Sequence, residues 1–178
     1  MTRLTAVVGN PRPGSRTHGL TATVVDRLVD AVAADDVEVV DLAVLGPALL
    51  DPGDPRAGAA RERVAGSDLV VVATPVYKAT YTGLLKVFLD GYGADALAGT
   101  TAVGVVVSAA PAHLLATDIH LRSLVVELGA AVPTRSLGVL EPQLADPGPL
   151  VEAWLATAAD RLRRLVAPTP ASREEVPA

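Results

Sequence analysis

Leu69-Val70-Val71-Val72-Ala73-Thr74-Pro75-Val76-Tyr77-Lys78-Ala79-Thr80-Tyr81-Thr82-Gly83 is the stretch that decides the fold. Its first five residues are apolar without interruption. A strand with one wet face alternates apolar and polar residues, so an unbroken run predicts a strand covered on both faces, as in a parallel sheet. Thr74-Pro75 predicts the end of that strand, because proline cannot donate to a ladder. A helix is expected over Thr80 to Gly91, with Leu84, Leu85, Phe88 and Leu89 turned inward.

Four more runs of the same kind flank it. Leu4 to Gly9 reads as a first strand, Val37 to Leu42 as a second, Ala102 to Val107 as a fourth, and Ala131 to Leu140 contains a fifth. Between them the apolar spacing turns helical. Leu20, Val24, Val25, Leu28, Val29 and Val32 mark a helix from Ser15 to about Ala34. A short charged helix is expected from about Asp54 to Ala65, and another over Ala112 to Gly129 with Gly129 as its cap. A last helix runs from Pro147 through Val166. Five strands alternating with five helices imply right-handed crossovers and a parallel sheet. The unusual loops follow strands one, three and four, which favours the order 2-1-3-4-5: an α/β, flavodoxin-like three-layer sandwich with a ligand crevice at the switch point. Residues 1–167 are expected to form one domain, with 168–178 a disordered tail.

Composition agrees and excludes. The chain has 178 residues, half of them hydrophobic but only 3% aromatic, so small branched residues must fill the core. Its zero cysteines exclude a disulfide framework, a thiol nucleophile and an iron–sulfur cluster. The three histidines, His18, His113 and His120, have no metal-ligand spacing, and no metal is assigned. A net charge of −5, with no Lys/Arg-rich run ahead of the last helix, argues against nucleic acid. No apolar run approaches the roughly 20 residues of a membrane span, so a cytoplasmic location is expected.

Two loops carry the chemistry. Gly9-Asn10-Pro11-Arg12-Pro13-Gly14-Ser15-Arg16-Thr17 joins the first strand to the first helix. The helix N-terminus offers unpaired N–H groups, Asn10, Ser15 and Thr17 add short donors, and Arg12 adds a fork that fits phosphate oxygens. The plainer alternative is that Ser15 is only an N-cap and Arg12 a solvated turn residue. The Gly-Lys-Ser/Thr ending of a Walker loop is absent, as are the three spaced glycines of a dinucleotide fingerprint. The second loop, after strand three, holds two of the chain's three tyrosines and one of its two lysines. Tyr77 and Tyr81 can wall a planar ring, the backbone from Pro75 to Tyr77 can bond its polar edge, and Lys78 can offset negative charge on it. Alternatively, Tyr81 packs on Leu84 and Leu85, and Lys78 is merely solvated.

These residues carry a resemblance. The first loop is similar to the G-S-x-R-x-x-S phosphate loop of the NADPH-dependent FMN reductase family, and Ala73 to Lys86 closely resembles that family's A-T-P-[VE]-Y-x-x-x-[YI]-[ST]-G-x-L-K segment. Ala112-His113-Leu114-Leu115-Ala116-Thr117-Asp118 resembles the branch that supplies reduced FMN to sulfonate monooxygenases. The resemblance covers about residues 3 to 167. It implies that Asn10, Arg12, Ser15 and Thr17 hold the FMN phosphate, and that Pro75, Val76, Tyr77 and Lys78 line the isoalloxazine. Ser108, Ala109 and Ala110, with His113, would complete the site. It implies NADPH, or NADH, as the hydride donor, flavin N5 as the acceptor and no catalytic side chain. It further implies a homodimer or homotetramer, with a flavin-dependent monooxygenase as partner. Ala109-Ala110 stands where relatives carry Gly-Gly, and Ile119-His120 where flavin-releasing relatives carry an aromatic residue. Two other readings of the same crevice are a quinone- or azo-type reductase that holds FMN tightly, and an FMN-binding redox partner without NAD(P)H oxidase activity.

Overall fold

The apolar runs become a five-stranded parallel sheet of order β2-β1-β3-β4-β5. The structure is a computed structural model that describes residues 1–166; Ala167 and the tail from Pro168 lie outside the described residues. In chain order the elements are β1 (Arg3–Val8), α1 (Arg16–Val32), β2 (Asp36–Asp41), α2 (Leu42–Leu45), α3 (Pro55–Ala65), β3 (Leu69–Pro75), α4 (Gly83–Leu89), β4 (Thr101–Ser108), α5 (Ala112–Glu127), β5 (Leu137–Leu140) and α6 (Gly148–Val166).

Side-chain alternation along the strands builds two cores, one on each face of the sheet. Leu4, Ala6, Leu69, Val71, Ala73, Val103 and Val105 pack beneath α1 and α6, against Leu20, Val24, Leu28, Val151 and Leu162. Val7, Val70, Val72, Ala102 and Val106 point the other way, against Val64 of α3, Leu85 and Phe88 of α4, and Leu121 and Val125 of α5. Three layers result. Phe88, the chain's one phenylalanine, is fully buried. Its ring meets Tyr92 edge-on at 5.8 Å, and the Arg61 guanidinium lies 5.6 Å from its centroid.

Three boundaries differ from the sequence reading, each for a physical reason. First, β3 does not end at Ala73 but runs to Pro75, which pairs with Val107. The β1–β3 register stops at Val8 opposite Ala73. Since Val76 N–H turns to the carbonyl of Val107 on β4, the missing N–H of Pro75 falls on the other side, where β1 has already ended. Second, α4 starts at Gly83 rather than Thr80, with Thr82 as N-cap. Residues 77–80 form a tight hairpin instead: Tyr77 N–H donates to Thr80 O at 2.9 Å and Thr80 N–H returns to Tyr77 O at 3.3 Å. Third, β2 ends at Asp41 rather than Leu42, because the Asp41 side chain caps a short helix, α2, that Leu42 opens; a 3₁₀ turn over Gly46–Leu50 follows. Leu84 is only half-buried. Gly129 follows the end of α5 at φ +93°, a left-handed position that suits a residue without Cβ.

Candidate functional site

The crevice lies at the carboxyl edge of the sheet, where the chain turns to opposite faces after β1 and β3. Gly9 ends β1 there and is held by its N–H to Ala73 O at 2.8 Å. A Cβ on Gly9 would stand 2.7 Å from Cβ of Leu85, so only glycine lets α4 approach this closely. Thr82 then ties the two loops together. Its hydroxyl donates to Gly9 O at 2.5 Å and caps Leu85 N–H at 3.1 Å, while its own N–H reaches the Thr74 hydroxyl at 3.2 Å.

The phosphate-type loop is ordered from within. Asn10, 8% exposed, gives one amide hydrogen to the Thr17 hydroxyl at 3.1 Å and accepts Arg12 N–H at 3.0 Å. Each of these side chains therefore keeps one hydrogen unspent. Ser15 is the N-cap of α1, accepting His18 N–H at 3.2 Å, so its hydroxyl hydrogen also remains to donate. The amides of Arg16 and Thr17, in the first turn, have no intrahelical acceptor. Arg12 is exposed and has no ion-pair partner among the described residues. Ser15 thus caps the helix, as the plainer alternative had it, and also lines the cleft.

Asn10, Arg12, Ser15, Arg16, Thr17, Pro75, Tyr77, Val107 and Glu141 line one cleft of about 180 Å³. Six of the sequence-selected residues therefore share a single wall-to-wall space. Val76 and Lys78 follow β3, Ser108 ends β4, Ala109 and Ala110 follow it, and His113 sits in the first turn of α5; none of the six lines this cleft. The Ser108 hydroxyl donates to Ala110 O at 2.8 Å and accepts Ala110 N–H at 3.1 Å, closing a turn in which neither alanine takes positive φ. Ala109-Ala110 therefore fits this loop without backbone strain. His113 is exposed at the start of α5.

The hairpin after β3 is the strained part of the site. Lys78 and Ala79 sit at φ +53° and +66°, successive left-handed positions held by residues that are neither Gly nor Asn. The N–H groups of Val76 and Tyr77 are spent on Val107 O and Thr80 O, whereas those of Lys78 and Ala79 have no acceptor among the described residues. Tyr77 is 44% exposed and forms one side of the cleft. Tyr81 instead packs with Leu84 against the α4–α5 core.

Sequence reasoning passed over Arg16, Val107 and Glu141. Arg16 donates to Glu141 at 2.9 Å, linking the α1 N-terminus to the loop after β5. Arg16 lies inside the quoted loop and could have been chosen; Glu141 is 125 residues away, and only the fold brings it near. Elsewhere, a void of about 10 Å³ bordered by Gly104, Leu121 and Arg122 is too small for a ligand. Among the described residues there is no cluster of three metal-ligating side chains and no helix long and apolar enough to cross a membrane.

Sheet order, crevice position and a cation beside the α1 N-terminus, without an ion-pair partner among the described residues, are those of a flavodoxin-like α/β protein with an anion-receptive switch point. The chain belongs to the NADPH-dependent FMN reductase family, whose model matches residues 2–141. It is 33% identical over 127 residues to the NADH-dependent FMN reductase SfnF of Pseudomonas putida, covering 68% of each chain. It is 32% identical over 126 residues to an FMN reductase (NADPH) of Pseudomonas aeruginosa, again covering 68% of each. Among solved structures, the apo form of an NADH:FMN oxidoreductase (EMOB) superposes with a TM-score of 0.85 at 29% identity, over 98% of this chain and 95% of that one. The fold read from the sequence and the family resemblance both hold, and the protein is an oxidoreductase of FMN and NAD(P)H.

Proposed function

We propose that this protein reduces FMN with NADPH or NADH and releases it, in the cytoplasm, to a flavin-dependent monooxygenase. Residues 1–167 act as one FMN-binding domain, assembled as a homodimer or homotetramer. Bound FMN supplies the hydride acceptor, so the chain needs no acid, base or nucleophile of its own. Its residues bind and align.

The observation that carries this reading is an arginine without an ion-pair partner among the described residues, in a shared cleft with the open N-terminus of a 17-residue helix. In a chain of net charge −5, a guanidinium left free beside unspent N–H groups is what a phosphate monoester requires. Arg12, the first-turn amides, Ser15, and the remaining hydrogens of Asn10 and Thr17 would hold that phosphate. Pro75, Val76 and Tyr77 would wall the ring, the free amides of Lys78 and Ala79 would face its polar edge, and the Lys78 ammonium would offset negative charge there. Ser108, Ala109, Ala110 and His113 would close the remaining side.

A cleft of about 180 Å³ suits the phosphate end of FMN, and the ring would lie across its exposed mouth, accessible to nicotinamide.

Steady-state NAD(P)H oxidation with free FMN as acceptor tests the activity. Arg12→Ala tests the site: loss of a charge-assisted contact worth about 1.5–3 kcal/mol raises the FMN Kd by about 10- to 100-fold. An unaltered Kd would remove Arg12 from the phosphate site; no turnover at saturating FMN would reject the activity.

A further inference from the structure

The left-handed hairpin after β3 is buttressed from outside, and the buttress comes from α5. The Thr117 hydroxyl, fully buried, approaches Ala79 O at 3.5 Å. One turn further along, His120 Nδ1 lies 3.1 Å from the Thr80 hydroxyl. Neither contact is local, since the partners are 38 and 40 residues apart. They fall on the second left-handed residue and on the residue that closes the hairpin by its paired backbone bonds to Tyr77.

A turn with two adjacent left-handed residues and no glycine does not hold itself. The backbone would relax unless neighbours over-determine it. Its hairpin bonds fix the ends at Tyr77 and Thr80, but the central residues need a contact that resists relaxation. Among the described residues, α5 supplies it.

We propose that His120 is a positioning residue: through Thr80 it locks the hairpin in the left-handed form that directs the free amides of Lys78 and Ala79 toward the ligand. This deepens the FMN reading above and rests on it. The lock tolerates changes in histidine protonation, because the threonine hydroxyl can donate to a neutral Nδ1 or accept from a protonated one. It also gives α5 a second task. The helix that follows the β4 loop at the crevice also sets the shape of the β3 loop across from it. His120 touches neither ligand in this role; it acts through the turn.

The test uses the full chain, with His120→Ala, Thr80→Ala, the double variant and Thr80→Ser. Two quantities are read: backbone amide exchange at Tyr77 in ligand-free protein, and FMN affinity by titration. Expected results are a 3- to 10-fold rise in the exchange rate and in the FMN Kd for each alanine variant, about the size of one net hydrogen bond. The double variant should be no worse than either single, and Thr80→Ser should return both values to those of the parent. Unchanged exchange at Tyr77 in His120→Ala would overturn the lock. So would effects that multiply in the double variant, or Thr80→Ser behaving like Thr80→Ala. Faster exchange with unchanged FMN affinity, in a protein whose Arg12→Ala variant does lose FMN, would overturn the positioning role. If Arg12→Ala also left FMN binding intact, the site assignment itself would have failed, and the exchange data alone would then decide whether the lock exists.

Discussion

Replacing Ala79 by glycine should stabilise the protein. Ala79 sits at φ +66°, where its Cβ crowds the following carbonyl at about 1–2 kcal/mol. Glycine removes that crowding but loses more backbone entropy on folding, about 0.5–1 kcal/mol relative to alanine. The difference leaves a net gain of about 0.5–1 kcal/mol. For a domain of this size, that raises the midpoint of thermal unfolding by about 1–4 °C. Scanning calorimetry of the ligand-free protein, supported by urea unfolding, measures it. Two further substitutions make the test specific to the backbone. Asparagine, which tolerates left-handed φ, should match or slightly exceed alanine, whereas β-branched valine should lose about a further 1–2 kcal/mol. The order Gly above Asn, Asn at or above Ala, and Ala well above Val is the signature of a strained turn. A lowered midpoint for Ala79→Gly, or valine tolerated as well as alanine, would refute the reasoning.

Gly9→Ala should cost about 1–3 kcal/mol, because the new methyl would meet Leu85 at 2.7 Å and push α4 from the β1 terminus; chemical denaturation reads the loss, and an effect below 0.5 kcal/mol, about the limit of a silent substitution, would speak against so tight an approach. Phe88→Ala, emptying a fully buried site between α4 and the sheet, should destabilise by about 3–5 kcal/mol in the same assay. Asp36 supplies a pH dependence. Hydrogen bonds from Arg63 first and Arg3 second hold its carboxyl well below the ordinary carboxylate range. A lowered folded-state pKa means stability that is fully present above the unfolded-state value near about 4 and lost as pH falls through the folded one. The stability gap between the parent and Asp36→Asn should thus be constant from pH 5 to 7, about the plateau of that titration, and shrink in stronger acid. A gap that widened on acidification would contradict the ion-pair account.

Strands and their order were legible because each strand is a short apolar run and the unusual loops mark the switch point. Leu69 to Ala73 could hardly be anything else in a parallel sheet. Helix α1 was legible for a similar reason: its buried residues recur at helical spacing and Ser15 is a conventional cap. The hairpin at Tyr77–Thr80 was not, because turns of its kind announce themselves by glycine or asparagine and this one uses Lys78 and Ala79. With that signal missing, the helical pattern of α4 reads three residues too early. Pro75 misled in the opposite direction, since its cost depends on whether a neighbouring strand is present on one side, a fact of tertiary structure. The same limit hid Glu141. Nothing local in Leu140-Glu141-Pro142 points to Arg16. Of the candidate site, six cleft-lining residues on the two motif loops were singled out by type and spacing; their hydrogen-bond economy was not legible, such as Asn10 being half committed to Thr17.

Thr82 is small, yet three chain segments meet on it: through its hydroxyl the end of β1 at Gly9 and the first turn of α4, and through its own N–H the end of β3 at Thr74. Local melting of any one of them would strand a buried polar partner on the other two. The two walls of the crevice are therefore not separate flaps that breathe on their own. They are joined through buried hydrogen bonds, so opening one wall carries the cost of unpairing groups on the other.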